Sequence, residues 1–298
     1  MIDTCTPKGG INVVIKYDAF EHLCRSLFKS GEDIFGMITG YFDESGTSPS
    51  NPAIGVAGYF GSCDQWGKFN VEWRKMLSDF NLSEFHRTDI ENMHLYVPGW
   101  TTEDRKMVAR RAHKIIKEFT YIGVGNAVIK EDFEDVFPPI LKKFYGGPYG
   151  YCAFLCVSRA KNWHEKFKSQ DPIDWVFEAG AEGAEQFNTL MKALYADLEL
   201  RRAFRVGSWS FAGKDLLPLQ AADTIAYELF KFVEGQIIEN RGKPRLSFED
   251  LIREEDNEYL EFWPRERLQE YVETEGTKTL IKALEDHRFL DYLTRKTN

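Results

Sequence analysis

The sequence predicts an α/β fold: a five-stranded mixed sheet flanked by helices, with a helical insertion and a C-terminal helical appendage. Three observations predict it. Short runs of β-formers with little charge recur at 34–42, 54–60, 121–129, 173–178 and 206–211. Between them lie longer stretches whose apolar residues return every three or four positions, the period of an amphipathic helix. The polar connection Glu44 to Pro52 is short, so the first two runs form an antiparallel hairpin.

Taken in order, residues 1–32 read as an N-terminal extension, with a strand expected at Ile11 to Ile15, a helix at Tyr17 to Phe28 and a break at Ser30-Gly31. The main domain spans 33–234. Its first strand ends at Asp43, where Glu44 opens a turn rich in Ser, Gly and Pro, and the second strand follows at Ile54 to Phe60. Trp66, Phe69, Trp73, Met76 and Leu77 place one helix over Ser62 to Phe80, and Thr101-Thr102-Glu103-Asp104 suits the start of another that runs to Phe119. These two helices make up the insertion, about 62–119, with Glu84 to Asp89 as a loop between them.

The third strand follows at Tyr121 to Ile129. Pro138-Pro139 and Gly146-Gly147-Pro148 punctuate the chain before a buried helix, Tyr149 to Phe167. The fourth strand, Ile173 to Glu178, alternates strictly, so Asp174, Val176 and Glu178 share one face. A helix over Glu182 to Phe204, a fifth strand over Val206 to Phe211 and a helix over Leu216 to Val233 complete the domain, with Asp215 expected as a cap and Pro218 in the first helical turn. Residues 235–298 form the appendage, with helices expected over Leu251 to Trp263 and Leu268 to Leu293.

Composition bounds the function. A chain of 298 residues with 43% hydrophobic and 14% aromatic residues can bury a large core, and no run approaches the roughly 20 apolar residues of a membrane span. No membrane partner is expected, and a cytoplasmic location follows by default. The five cysteines are odd in number and lack a ligand rhythm, which fits a reducing compartment, and Cys152 and Cys156 read as small core residues. A net charge of −9 argues against a protein that coats nucleic acid through bulk electrostatics, without excluding a nuclease.

The chemistry-bearing residues are acids. Asp43 ends the first strand, Glu178 ends the fourth, and Asp223 lies on or beside the apolar stripe of the helix that begins near Leu216, one turn after Gln220. Two of them have a structural alternative: Asp43 as turn chemistry, Asp223 as the partner of Lys214. If the three converge, repulsion decides the outcome, because two carboxylates about 4 Å apart repel by roughly 4 kcal/mol at an effective dielectric of about 20. Either one is protonated or a cation lies between them. An all-oxygen set suits Mg²⁺ or Mn²⁺ and does not suit zinc. Asp43, Glu178 and Asp223 are therefore the expected metal ligands. His86 and Asp89, three residues apart, are further candidates for a proton shuttle and a ligand. Glu44 is a lesser one, since it should face away from Asp43. Lys214 is placed to neutralise a phosphate or the acids.

The order of elements and acids resembles the RNase H-like fold, whose metal-dependent nucleases and transposases carry acids on the first strand, the fourth strand and a late helix. More closely, Tyr41-Phe42-Asp43-Glu44-Ser45-Gly46, Gly55 to Phe60 with Trp66 after it, Phe85-His86, and Leu219-Gln220-Ala221-Ala222-Asp223 with Ala226-Tyr227-Glu228 resemble the domain-of-unknown-function-3800 family over about residues 36 to 234. The resemblance implies a metal-dependent phosphodiester hydrolase, a nuclease acting on DNA or RNA with Mg²⁺ or Mn²⁺. One departure stands out: the helix Tyr149 to Phe167 offers only Glu165, near its far end, where those nucleases carry an acid on the first helix. His86 or Asp89 from the insertion would supply the missing ligand or base. The alternatives are a catalytically inactive binding or interaction module of the same fold, and a hydrolase of small phosphorylated metabolites.

Overall fold

The computed structural model describes residues 38–91, 99–167, 171–252 and 259–286. The expected N-terminal strand and helix lie outside the described residues, as does the end of the helix expected to reach Leu293. The chain is an α/β protein with a six-stranded mixed sheet between helices. Among the described residues, no helix is long and apolar enough to cross a membrane.

Strands β1 (Ile38–Ser45), β2 (Ala53–Ser62) and β3 (Ile122–Ile129) form an antiparallel meander. Strand β4 (Ile173–Glu178) then pairs parallel to β1, and β5 (Val206–Ala212) pairs parallel to β4. The sixth strand, β6 (Tyr259–Trp263), adds parallel to β3, giving the order β5-β4-β1-β2-β3-β6.

Alternation along these strands divides the core in two. Phe42, Phe60, Trp175 and Phe177 point to one face, where Phe42 and Phe177 stack with ring centroids 5.4 Å apart. Tyr41, Ala57 and Tyr59 point to the other. The second face is covered by helices α1 (Cys63–Asp79), α2 (Arg87–Glu91) and α3 (Thr102–Phe119), which lie between β2 and β3, and by α9 (Leu217–Phe232). The first face carries α4 (Lys130–Val136), α5 (Pro139–Tyr145), α6 (Gly147–Phe167) and α7 (Ala184–Ala196). The short helix α8 (Leu198–Ala203) leads into β5. Capping boxes start two of the long helices: Ser62 with Gln65 for α1, Thr101 with Asp104 for α3.

Several expectations are corrected. The helix expected over Leu251 to Trp263 is instead α10 (Leu246–Leu251) followed, beyond 253–258, by β6. Short apolar runs do not distinguish strand from helix by period, and here the open edge of β3 supplies the backbone partners. Far from being peripheral, this region buries Trp263 in the main core, where its indole donates to Asn126 Oδ1 at 3.1 Å. The single helix over Glu182 to Phe204 is two, because Asp197 caps a new start by accepting from Glu199 N and Leu200 N. In the same way Thr274 accepts from Thr277 N and separates α11 (Arg265–Glu273) from α12 (Glu275–Glu285). The prolines and glycines at 138–148 bound two short helices, and Gly146 ends α5 in the left-handed region at φ 75°.

Candidate functional site

The pleat and register explain how distant acids meet. Phe42 pairs with Phe177 across the parallel β1–β4 ladder, so Asp43 and Glu178 follow side by side at the C-terminal ends of adjacent strands. Both lie on the face that α9 covers. That helix packs on β1 and β2 with Ala221 and Ala226 buried in the shared core, and between these two it carries Asp223. Three segments far apart in sequence thus deliver carboxylates to one place.

Strand β1 continues through Ser45, so Glu44 belongs to the strand and does not open the turn. Alternation does aim Glu44 at the opposite face, as expected. At the end of a strand, however, a four-atom side chain can bend round the edge. Ligand-capable oxygens of Asp43, Glu44 and Glu178 accordingly lie within 4.8 Å of one another. Asp223 joins the group through Lys214, whose Nζ is 3.2 Å from Asp223 Oδ1, 3.3 Å from Asp43 Oδ2 and 3.5 Å from Glu178 Oε1. Asp223 is thus paired with Lys214, as one reading of the sequence had it, and lies outside the close set of Asp43, Glu44 and Glu178.

Electrostatics follow from this crowding. Asp43 is only 1% exposed. Burial first, then its contact with Glu178 and the charge of Asp223, hold its carboxyl well above the usual carboxylate range, with Lys214 pulling the other way. Burial and Glu178 push Glu44 up to about 7. Burial works against the Lys214 ammonium, but Asp223, Asp43 and Glu178 outweigh it and its pKa is raised. Two buried oxygens, Asp43 Oδ2 and Glu44 Oε2, have no hydrogen-bond partner.

The frame around the acids is polar and tightly connected. Gln220 Oε1 accepts from Trp73 Nε1 at 2.8 Å and from Phe85 N at 3.0 Å, while its Nε2 donates to Lys214 O at 2.9 Å. One side chain thus ties α1, the Phe85-His86 segment and the Lys214 turn to α9. Asp223 Oδ2 accepts from Arg87 N at 2.6 Å, which fixes the same segment a second time. Arg87 itself runs inward to the fully buried Glu228, with Nη2 to Oε1 at 2.7 Å, and Ser247 donates to the other oxygen of Glu228 at 3.0 Å.

His86 precedes the short helix α2, where a loop was expected; the backbone bond from Ile90 N to His86 O closes that helical turn. Its Nε2 lies 3.5 Å from Asp223 Oδ1 and its Nδ1 3.5 Å from Asp89 Oδ2. Asp89 meets the site through His86. Asp215 is not a cap: the N-cap of α9 is Leu216, with no side-chain cap bond, and Asp215 sits in the turn closed by Leu216 N to Gly213 O. That turn aims Lys214 at the acids.

Two contributors were hidden from sequence reasoning. Gln220 was visible only as a neighbour of Asp223, although the three-residue spacing that puts both on one helix face was a usable signal. Tyr149, expected only as the start of a buried helix, is 2% exposed with an unpartnered hydroxyl. Burial, then Glu44, Asp43 and Glu178, raise its pKa, so it is a neutral hydroxyl brought to the acids by the first turn of α6. Nothing local in the sequence marks it.

No family model matches the chain, and a search of curated proteins returns no match.

Proposed function

We propose that the protein is a Mg²⁺- or Mn²⁺-dependent phosphodiester hydrolase acting on nucleic acid, of the RNase H-like kind and akin to the domain-of-unknown-function-3800 family. One observation carries the reading: acids from the ends of β1 and β4 and from the late helix α9 gather around the Lys214 ammonium, with Asp43 only 1% exposed. The antiparallel hairpin followed by parallel strands agrees with the element order of that fold. The donor set fits the cation. Asp43, Glu44 and Glu178 offer closely spaced carboxylate oxygens, the hard ligands that Mg²⁺ and Mn²⁺ prefer. Asp223 stands beside this set, joined to it through Lys214.

When bound, such a cation supplies Lewis-acid polarisation of a phosphoryl oxygen and a lowered pKa for an attacking water. The chain's own residues do the rest. His86, between Asp223 and Asp89, is positioned to move a proton at its Nε2 or Nδ1. Tyr149 offers a neutral hydroxyl as a hydrogen-bond donor beside the acids. Gln220 and Arg87 keep the segment bearing His86 in place.

The test is a panel of labelled DNA and RNA substrates incubated with Mn²⁺. Cleavage by the wild type should disappear in Asp223→Asn, whose amide oxygen still accepts from Arg87 N so that the fold persists. Full activity in the folded variant would refute the role given to Asp223. A second reading, a metal-free interaction module, is favoured by one observation: Lys214 already contacts three of the carboxylates. Titration calorimetry separates the two, since only the hydrolase gives a Mn²⁺-binding heat that Asp43→Ala removes.

A further inference from the structure

Lys214 reaches its position by a definite route. It occupies the turn Gly213 to Leu216, and Gln220 Nε2 holds its backbone carbonyl, so the main chain is fixed while the four-carbon stem stays free to rotate. Its side chain is 22% exposed, which leaves a path toward solvent. The ammonium nevertheless points inward, at 3.2 to 3.5 Å from oxygens of Asp223, Asp43 and Glu178.

Those are three of the oxygen donors on which the reading above rests, and an ammonium and a divalent cation cannot share them. Charge favours the exchange. Asp43, Glu44, Glu178 and Asp223 face one ammonium, and the group lies in a poorly solvated setting. The Tyr149 hydroxyl there is more than nine-tenths buried and has no hydrogen-bond partner, and Asp43 Oδ2, equally buried, makes no hydrogen bond beside its 3.3 Å ion pair with Lys214. A doubly charged ion with six oxygen-seeking positions answers both deficits better than a singly charged ammonium with three donors.

We propose that Lys214 is an intramolecular competitor for the divalent cation: cation binding displaces its ammonium from Asp43, Glu178 and Asp223 and swings it outward, where it meets an anionic oxygen of the substrate. The side chain thereby couples two events. Without the cation it neutralises the acids and blocks their oxygens; with the cation it becomes a phosphate-binding positive charge at the mouth of the pocket. The inference rests on the cation-binding reading of the acids, and its test keeps the two apart.

Mn²⁺ binding is measured by electron paramagnetic resonance on the full-length wild type, Lys214→Met and Asp43→Asn. Lys214→Met should bind Mn²⁺ about tenfold tighter or more, while Asp43→Asn loses binding. A wild type that binds weakly beside a variant that binds well supports the proposal equally. A second measurement needs no variant. Lysine reductive methylation read by mass spectrometry should rise at Lys214 when Mg²⁺ is added and stay level at Lys68, an exposed lysine paired with Asp64. Should Lys214→Met bind no tighter while wild-type labelling stays unchanged, competition is overturned and the Asp43-dependent cation site survives. If neither wild type nor Lys214→Met binds Mn²⁺, the cation reading itself falls and takes this proposal with it.

Discussion

Replacing Asp43 by Asn should stabilise the protein in a chelator and destabilise it, relative to wild type, in excess Mn²⁺. The magnitude follows from the site. Lys214 Nζ lies 3.3 Å from Asp43 Oδ2, an attraction of about 5 kcal/mol at an effective dielectric of about 20. Against it, carboxylate oxygens of Glu44 and Glu178 lie within 4.8 Å, so each repels an ionised Asp43 by about 3.5 kcal/mol or more. Repulsion therefore exceeds attraction by roughly 2 kcal/mol before Asp223 and desolvation are added. Proton uptake, which the raised pKa values of Asp43 and Glu44 record, offsets part of this, so the penalty is at most about 2 kcal/mol.

The amide of Asn removes that penalty at nearly constant volume. Melting in a chelator should rise by about 1–3 °C. A cation held at about a hundredfold over its Kd stabilises the wild type by about 2.7 kcal/mol and leaves the variant untouched, so the order reverses. Differential scanning calorimetry with and without Mn²⁺ reads both limbs. A lower Tm for Asp43→Asn in chelator would mean that Asp43 is held by net attraction as an ordinary structural ion pair. Parallel curves in the two media would mean that no cation reaches these carboxylates.

Three further outcomes are expected. Glu44 has its pKa raised in the fold from 4.5 to about 7, so the protonated form is favoured by folding: its contribution is fully present below about pH 4.5 and is lost as pH rises through about 7. Glu44→Gln should therefore gain up to roughly 3 kcal/mol over wild type between about pH 5 and pH 8, measured by urea unfolding in chelator, and an unchanged difference across that window would contradict the burial assigned to Glu44. Gln220→Ala strands Trp73 Nε1, Phe85 N and Lys214 O, and should cost about 3 kcal/mol or more in denaturant midpoint experiments; a loss under about 0.5 kcal/mol would show that this connection is dispensable. Arg87→Met leaves the fully buried Glu228 without its ion-pair partner and should cost about 3–5 kcal/mol, most of it recovered in the double variant Arg87→Met/Glu228→Leu.

The sequence by itself determined most of the local elements and where the acids Asp43, Glu178 and Asp223 fall on them. The third helix and fourth strand fall where their patterns put them, Thr102–Phe119 and Ile173–Glu178, because hydrophobic period and capping are properties of neighbouring residues. The same alternation identified the face of Glu178, and helical spacing put Asp223 against the packed side of α9. Tertiary structure decided what depends on distant partners. It made Tyr259–Trp263 a strand, since only the free edge of β3 supplies its hydrogen bonds. It brought Glu44 round the end of β1, delivered Tyr149 from the opposite face of the sheet, and aimed Lys214 at three acids through a turn braced by Gln220. A strand ends where local pattern says, but which charges meet beyond that end is set by the register between strands and the closeness of the covering helix, and neither is encoded within any single stretch of chain.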